Sequence, residues 1–517
     1  MPRIDNPILR GFNPDPSIVR VGDEYFIATS TFEFQPAVRI HRSTDLASWE
    51  VAGHALENLD MNGIPDSGGV WAPSLSYSEG EFWLAYSVVH TMDGDDKDIE
   101  NWLVTGPSPL GPWSEPVFLG SRGFDFSFFH DDDGTHWIVG VQWDHRPEFP
   151  SFSGIVVEQY LPELRRTSGE AHRIYSETGL VEGPNLYKID GQYLLLLAAG
   201  GTGWNHGICA ARSPELLGAY ERDAQEAVMT TRHDPGAPLQ KAGHGELVQT
   251  PSGRWILVHL AARPAMHLGE RYGTLGRETC LQPIVFDNGW PRLAHGGHLP
   301  ATSFVVDADS EPTPRSSLWS DAFDTGTLDR RRWSTLRSTD PVGDLAARPG
   351  WLRIVGGHTP SSAFAQPMVL TRVEEHDTVF EATLDAAPRT SREAAGIIAY
   401  YDRSGWIWLQ VTHDDEHGRH LRVVHRDGRT TTRSAAIRIP EGELRMRAHL
   451  DGSVLRFAYR AGGEWSGIPG DFPAWTLSDD HGGRLRFTGM FLGLRAEDLD
   501  RRGWYADFSA VEVTARS

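Results

Sequence analysis

The sequence has 517 residues, a formal net charge of −22 and only 2 cysteines, and it contains 54 glycines, 33 prolines and 18 tryptophans. Its length predicts two or three domains, and its glycine and proline content predicts many short strands rather than long helices. The negative charge argues against nucleic acid and anionic membranes as partners. The two cysteines exclude a disulfide framework.

The sequence shows no pattern typical of a secretory signal or a membrane anchor. Residues 1–10 contain no apolar run, and no later stretch of 18 residues is apolar throughout. A membrane-spanning helix requires such a stretch. We therefore expect a cytoplasmic protein with no membrane partner.

A hairpin pattern recurs five times in residues 1–305. Each copy has a turn that ends in glycine, followed within one to three residues by an aromatic and aliphatic strand, and glycine supplies the positive φ that such turns need. The repeat glycines, which follow one another at 58, 54, 57 and 62 residues, are Gly22, Gly80, Gly134, Gly191 and Gly253. Five evenly spaced hairpins without helical periodicity between them predict a five-bladed β-propeller, with a β-sandwich of accidental spacing as the alternative.

The pattern changes after residue 305. Residues 306–318 are polar and contain proline, so we expect a linker there. Residues 319–517 then alternate between apolar and polar side chains, most clearly over 406–412. This two-residue alternation predicts an antiparallel β-sandwich of the concanavalin or lectin type. The predicted fold class is therefore all-β: a five-bladed propeller followed by a sandwich.

Acidic residues lie just before the hairpins, where the first strand of each predicted blade lines the propeller axis. Asp15, Asp125 and Glu182 occupy three of the five equivalent positions, within apolar sequence where an unpaired charge is costly. Pairing with arginine or with backbone groups would also account for them. Two carboxylates across a cleft suit glycoside hydrolysis, one protonating the leaving oxygen and the other activating water or attacking the sugar. A third carboxylate nearby would raise the pKa of the acid.

Several motifs resemble glycoside hydrolase family 43, in its long form with a C-terminal sandwich, a β-xylosidase. The resemblance covers nearly the whole chain and depends on the order and spacing of short motifs. These are Arg10–Ser17, Ala28–Phe34, Ile40–Trp49, Trp71–Pro73, Gly123–Gly134, Trp143–Arg146, Glu182–Pro184, Gly243–Gly245, Gly276–Thr279, Ala395–Tyr401, Val411–Glu416 and Gly503–Phe508.

The resemblance implies a role for each site residue. It makes Asp15 the general base that activates water, Glu182 the general acid, and Asp125 the carboxylate that tunes and holds that acid. The implied substrate-binding residues are Arg277, Trp71, Phe32, Trp143 and His244. Each of three residues could instead have a purely structural role: an ion pair for Arg277, ordinary packing for Trp143 and a hydrogen-bonded core position for His244. No cofactor is required, although many relatives hold calcium or water at the propeller axis near His244.

The function that this resemblance implies is an inverting exo-glycosidase that removes β-D-xylose from the non-reducing ends of xylo-oligosaccharides. The two carboxyl groups of such an enzyme are expected to lie roughly 6.5–9.5 Å apart. An α-L-arabinofuranosidase is the alternative within the same chemistry. A retaining fructoside hydrolase with Asp15 as nucleophile and a non-catalytic glycan-binding protein are remoter alternatives. The only expected partner is a small oligosaccharide, and the sequence leaves a homo-oligomer open.

Two further expectations concern specificity. The family pattern has an acidic residue where this chain has Ala199, so the loss of that carboxylate leaves the fine specificity open. The sandwich, residues 319–517, is expected to pack on the propeller and to place a loop at the pocket rim. A pocket closed in this way would release one sugar at a time and would make polymeric xylan a poor substrate.

Overall fold

The computed structural model describes residues 3–92, 94–305 and 318–516. Strands dominate this part of the chain, and its only helical segments are the 3-10 turns Pro162–Leu164 and Ala474–Thr476. A search of the same residues finds no helix with the length and apolar character to cross a bilayer. The predicted linker lies outside the described residues except for Leu318, which begins a strand.

Residues 3–305 form five antiparallel sheets of four or five strands around a common axis. The inner strands contact their neighbours around the ring, and the fifth contacts the first, so the ring is closed. All five repeat glycines have positive φ, between 61° and 87°. The prediction of a five-bladed propeller built from five hairpins is therefore confirmed.

The blades are named 1 to 5 in chain order, and their strands run from the axis outward. Blade 1 contains Ser17–Val21, Glu24–Thr29, Ala37–Ser43 and Glu50–Leu56. Blade 2 contains Gly69–Val70 and Ser74–Ser78, then Glu81–Val89, Ile99–Gly106 and Val117–Gly120. Blade 3 contains Ser127–His130, His136–Trp143, Phe152–Leu161 and Arg166–Tyr175.

Blades 4 and 5 complete the ring. Blade 4 contains Val181–Ile189, Gln192–Ala199, Gly207–Ser213, Glu221–Arg222 and Met229–Thr230. Blade 5 contains Gln240–Gln249, Trp255–Ala262, Glu278–Asp287 and Trp290–Leu293. A separate hairpin joins Ala265–His267 to Glu270–Tyr272, and Arg3–Asp5 pairs with Ser303–Val305 to tie the two ends of the propeller together.

Residues 318–516 form two packed antiparallel sheets, which confirms the predicted sandwich. The outer sheet contains Leu318–Asp321, Leu352–Val355, Asp377–Asp385, Leu444–Asp451, Val454–Arg460, Ser466–Gly467, Phe472–Pro473 and Tyr505–Arg516. The inner sheet contains Met368–Arg372, Glu393–Asp402, Gly405–Asp414, Gly418–Asp427, Thr430–Arg433, Ile437–Arg438 and Phe491–Asp498.

The strand Gly405–Asp414 differs from the half-exposed strand that its alternation predicts, because its first eight residues are all buried. Ile407 and Leu409 face the core between the two sheets. Trp406 and Trp408 face the opposite way, into a core shared with the propeller. The inner sheet is thus covered on both faces, and its alternation separates two apolar surfaces rather than core from solvent.

Direct contacts join the sandwich to the propeller. The strand Thr335–Leu336 pairs with Phe34–Gln35, and the Phe34 ring stacks on Phe491 at 4.1 Å between centroids. Arg337 is fully buried between the domains and donates from Nε to the carbonyl of Ile64 at 2.7 Å. Backbone pairing, apolar packing and a buried hydrogen bond therefore all hold the sandwich against one side of the ring.

Candidate active site

Seven of the eight predicted site residues line one small cavity at the propeller axis, with a volume of about 50 Å³. They come from all five blades, with two in or beside blade 1, two in or beside blade 5 and one at each of the other three, and they meet because the inner strands converge at the axis. The seven are Asp15, Phe32, Trp71, Asp125, Glu182, His244 and Arg277. The remaining lining residues, to which the sequence analysis gave no role, are Ala72, Phe124, Thr202 and Phe487.

The backbone is strained at four of these positions. Asp15, Phe32, Asp125 and His244 all have positive φ, between 41° and 55°, a region that residues other than glycine rarely adopt. Such strain persists only where the surrounding structure imposes it, and it is concentrated at functional sites. Here it directs side chains from four separate segments into the same cavity.

The Asp15 carboxylate is held in its ionised form. Arg277 donates from Nη1 to Asp15 Oδ1 at 2.6 Å, and Ser30 Oγ donates to Asp15 Oδ2 at 2.7 Å. His244 Nδ1 lies 4.0 Å from Asp15 Oδ1. Burial alone would raise the pKa of Asp15, but the charges of Arg277 and His244 and these hydrogen bonds outweigh it and lower the pKa below its usual value.

The Glu182 carboxyl has the opposite environment. Burial, followed by the negative charge of Asp15, raises the pKa of Glu182 to about 7, although Arg277 opposes the shift. The same pocket therefore holds one carboxyl that is ionised and one that keeps its proton near neutral pH. In glycoside hydrolysis, the acid and base roles are carried by two carboxyls whose environments give them very different pKa values.

Asp125 lies against the segment that carries Glu182. Its Oδ2 accepts a hydrogen bond from the backbone N–H of Gly183 at 2.9 Å. Burial, together with the negative charges of Glu182 and Asp15, raises the pKa of Asp125 to about 7. Gly183 has φ of +53°, and a Cβ there would lie 3.1 Å from the His244 ring. A glycine at this position therefore lets the acid, the third carboxylate and the histidine approach one another.

Four aromatic rings form the apolar wall. Trp71 packs edge-on against Phe124 at 5.3 Å and against Phe487 at 5.5 Å, and Phe32 contacts Phe487 at 5.9 Å. Phe487 belongs to the sandwich, and its carbonyl accepts a hydrogen bond from Arg277 Nη2 at 3.2 Å. Phe124 could have been found as the neighbour of Asp125, whereas no local signal marks Phe487.

Trp143 lies behind this wall and not on it. Its ring packs against Phe124 at 5.9 Å, and its Nε1 donates to the carbonyl of Asp95 at 2.8 Å. Lys97 Nζ lies over the ring, 4.1 Å from its centroid. The direct contact between Trp143 and substrate therefore stays a prediction, and the structure places the residue as a support for Phe124.

The residues near the axis fit a calcium ion poorly. His244 and Glu246 border a smaller space on the axis, where Glu246 Oε2 accepts from the backbone N–H of Ile18 at 2.8 Å. Burial raises the pKa of Glu246 to about 7. In the described part of the chain, no three His, Cys, Asp or Glu side chains form a group that could hold a metal.

Ala199 lies beside the strand that carries the acid. It pairs across the sheet with Val181, the residue before Glu182, and it is buried in the apolar core. Ala199 thus leaves an apolar surface next to the acid, where the family pattern has a carboxylate. The effect of this exchange on specificity stays open.

Comparisons with known proteins agree with this arrangement. The family described as "Glycosyl hydrolases family 43" matches residues 4–291, and the "Beta xylosidase C-terminal Concanavalin A-like domain" matches residues 320–514. The chain is 39% identical to a beta-xylosidase of Bacillus subtilis, over 98% of both chains. It is 39% identical to Xylosidase/arabinosidase 43B of Humicola insolens, over 98% of this chain and 97% of the relative.

A solved structure shows the same fold over the whole molecule. The crystal structure of a xylan beta-1,4-xylosidase from Bacillus halodurans superposes with a TM-score of 0.95 at 38% sequence identity. The superposition covers 99% of this chain and 100% of the other. Both domains, and their placement against each other, are therefore shared with that structure.

Proposed function

The chain belongs to glycosyl hydrolase family 43, and on that basis we propose that it removes β-D-xylosyl residues from the non-reducing ends of xylo-oligosaccharides with inversion of the anomeric centre. The observation that carries this proposal is a pair of carboxyls in one pocket whose pKa values are shifted in opposite directions. Asp15 is ion-paired with Arg277, whereas Glu182 keeps its proton near neutral pH. The chain is a glycoside hydrolase, and enzymes of this family generally need no cofactor.

The proposed reaction needs only these two carboxyls and one water. Glu182 donates its proton to the glycosidic oxygen as the bond from that oxygen to C1 breaks. Asp15 accepts a proton from a water whose oxygen forms the new bond to C1 on the opposite face of the sugar. The products are a xylose of inverted configuration and a shortened oligosaccharide, and the two carboxyls then exchange the proton through solvent.

An α-L-arabinofuranosidase activity is the second candidate, and the similarity to Xylosidase/arabinosidase 43B favours it. A screen of nitrophenyl β-xyloside, α-arabinofuranoside and β-fructoside separates the candidates. We expect the β-xyloside to be hydrolysed fastest and the arabinofuranoside to be second. Hydrolysis of the fructoside alone would replace the proposal by the retaining alternative, and no hydrolysis of any substrate would favour a glycan-binding protein.

The pH dependence of kcat/KM is expected to be bell-shaped, since Asp15 must be ionised and Glu182 protonated. The lowered pKa of Asp15 places the acidic limb below the range in which an ordinary aspartate titrates. The raised pKa of Glu182 places the alkaline limb near pH 7. Initial rates on xylobiose, whose leaving group needs a proton, check this profile, and an activity that stays constant well above pH 7 would contradict it.

The substitution Asp125→Asn is expected to move the alkaline limb to lower pH. The pKa of Asp125 is also about 7, so its carboxyl becomes negative over the same pH range in which Glu182 titrates. The asparagine stays neutral there, so the acid loses its proton more easily. A matched control is Asp131→Asn, because Asp131 lies in a blade 3 turn and pairs with Lys188. The control should leave the limb in place. If Asp125→Asn also leaves it in place, Asp125 does not tune the acid.

The substitution Phe487→Ala is expected to lower kcat/KM on xylobiose by about fivefold, because it removes ~1 kcal/mol of aromatic contact from the wall. The intact enzyme should release xylose alone from xylotetraose, one unit at a time, because Phe487 of the sandwich adds a wall to the propeller pocket beside Phe32 and Trp71 and is expected to block the path of a longer chain. The control for the Phe487→Ala variant is Phe364→Ala, which replaces an exposed phenylalanine of the same sandwich domain. Xylobiose as the first product of the intact enzyme would show internal cutting.

The remaining expectations stay predictions. A cytoplasmic location, a homo-oligomer and a calcium ion at the axis are not needed by the reaction described above. Cys209 and Cys280 are both buried. The proposed partner is a small oligosaccharide.

A further inference from the structure

A group of cationic and polar side chains is buried between blade 1 and the sandwich. We call it the interface cluster and define it as Thr29, Arg39, His41 and His54 of blade 1 with Arg372 of the sandwich. Their exposed fractions lie between 1% and 7%. Thr29, Arg39 and His54 are cross-strand neighbours on three adjacent strands, and His41 follows Arg39 by two residues on the same face.

The two guanidinium groups bond to neutral acceptors. Arg39 donates to the carbonyl of Arg331 at 2.7 Å and weakly, at 3.5 Å, to Asn13 Oδ1. Arg372 donates from Nε to the carbonyl of Phe12 at 2.8 Å and from Nη1 to Ser334 Oγ at 3.2 Å. A guanidinium does not give up its proton in a protein, so both positive charges remain in the interface.

Four polar atoms of the cluster have no hydrogen-bond partner among the residues that the structure describes. They are Thr29 Oγ1, Arg39 Nε, His41 Nε2 and His54 Nε2. A buried donor without a partner costs about 1–3 kcal/mol, and more when it is charged. Since adjacent strands lie about 4.8 Å apart, one small ligand above Arg39 is within reach of donors on both neighbouring strands.

The charges around the cluster do not neutralise it. Asp329 and Glu374 act on Arg39 only at a distance, and Asp329 is bonded to Arg331 at 2.9 Å. Burial, followed by the charge of Arg39, lowers the pKa of both His41 and His54, so both rings are neutral and each offers one N–H. Two fixed cations and two neutral imidazoles thus face one another without an anion.

We propose that the interface cluster binds one small inorganic anion of the halide class, chloride in ordinary solution. Its charge compensates Arg39 and Arg372, and it accepts hydrogen bonds from the unpartnered donors. A monoatomic anion accepts from any direction, whereas a carboxylate or a phosphate brings further oxygens that need donors of their own. The ion joins blade 1 to the sandwich and stabilises the contact between the two domains.

The first test uses the unmodified protein. Thermal unfolding is followed in sodium chloride, sodium bromide and sodium gluconate at equal ionic strength. We expect Tm to be a few degrees higher in the two halides, because an anion that binds only the folded state stabilises it, and gluconate is too large for the site. Equal Tm values in all three salts would overturn the proposal. Bromide-soaked crystals should show an anomalous peak within contact of Arg39 and His54, and the absence of a peak there would also overturn it.

The second test supplies the anion as a side chain. Thr29→Asp places a carboxylate next to Arg39, and Thr29→Asn is its neutral isostere. We expect the aspartate variant to lose the difference in Tm between halide and gluconate, and the asparagine variant to keep it. The same halide response in both variants would show that the ion binds elsewhere. Thr29 does not line the pocket but precedes Ser30, which holds Asp15, so the circular dichroism spectrum rather than activity serves as the check on folding.

Discussion

Replacing Asp15 by alanine is expected to lower kcat on both xylobiose and nitrophenyl β-xyloside by up to about 10⁴-fold. The other carboxyls among the described lining residues, Asp125 and Glu182, both have raised pKa values, so neither is a ready acceptor for the proton of the attacking water. The loss should be similar for the two substrates, because water activation is needed whatever the leaving group. Initial rates on both substrates, at the pH optimum of the unmodified enzyme, measure it.

The substitution Asp15→Asn separates this chemical loss from a loss of folding. Asp15→Ala leaves the buried Arg277 guanidinium without its partner, and breaking a buried pair destabilises a protein by about 3–5 kcal/mol. The asparagine retains an oxygen that accepts from Arg277 or Ser30 but cannot take a proton. We expect it to be as inactive as alanine with a Tm closer to that of the unmodified enzyme. An active asparagine variant would remove Asp15 from the role of base.

Replacing Glu182 by alanine is expected to affect the two substrates differently. Hydrolysis of xylobiose should fall by about 10³-fold or more, because its sugar alkoxide leaves only with a proton. Hydrolysis of nitrophenyl β-xyloside should fall far less, since nitrophenolate is a good leaving group. The ratio of kcat/KM values on the two substrates, compared with the same ratio in the unmodified enzyme, is the quantity to measure.

The variant Glu182→Gln provides the control for this result. It keeps the size and polarity of the side chain but has no proton to donate, so it should reproduce the substrate dependence of the alanine variant. The alkaline limb near pH 7 should also disappear from the pH profile of the aryl glycoside in both variants. Equal damage to xylobiose and to the aryl glycoside would show that Glu182 is not the general acid.

The propeller could be predicted from the sequence because the residues that specify each hairpin turn are adjacent in the chain. Each hairpin glycine, such as Gly22 or Gly253, marks a turn whose conformation depends on that residue. Because the five turns are evenly spaced, they predict five similar blades and hence the whole ring. The alternation over 406–412 likewise predicted a strand. It could not indicate that Trp406 and Trp408 are buried against the propeller, because an alternating pattern does not say what covers its second face.

The site could be predicted where its residues lie on repeat positions. Asp15, Asp125 and Glu182 precede the hairpins of three blades, so the propeller geometry brings them together. Phe487 could not be predicted, because it reaches the pocket only through the docking of the second domain. The interface cluster was missed for the same reason. Arg372 and His54 are far apart in the chain, and nothing local marks two residues that meet at a domain interface.

The most direct test of the proposed mechanism is the configuration of the first sugar released. Proton NMR follows the hydrolysis of a β-xyloside within the first minutes, before the anomers of free xylose equilibrate in solution. Water activated by Asp15 attacks the face opposite to the leaving group, so α-xylose should appear first and β-xylose should grow in later by mutarotation. Early β-xylose would contradict this account and would make Asp15 a nucleophile that forms a covalent intermediate.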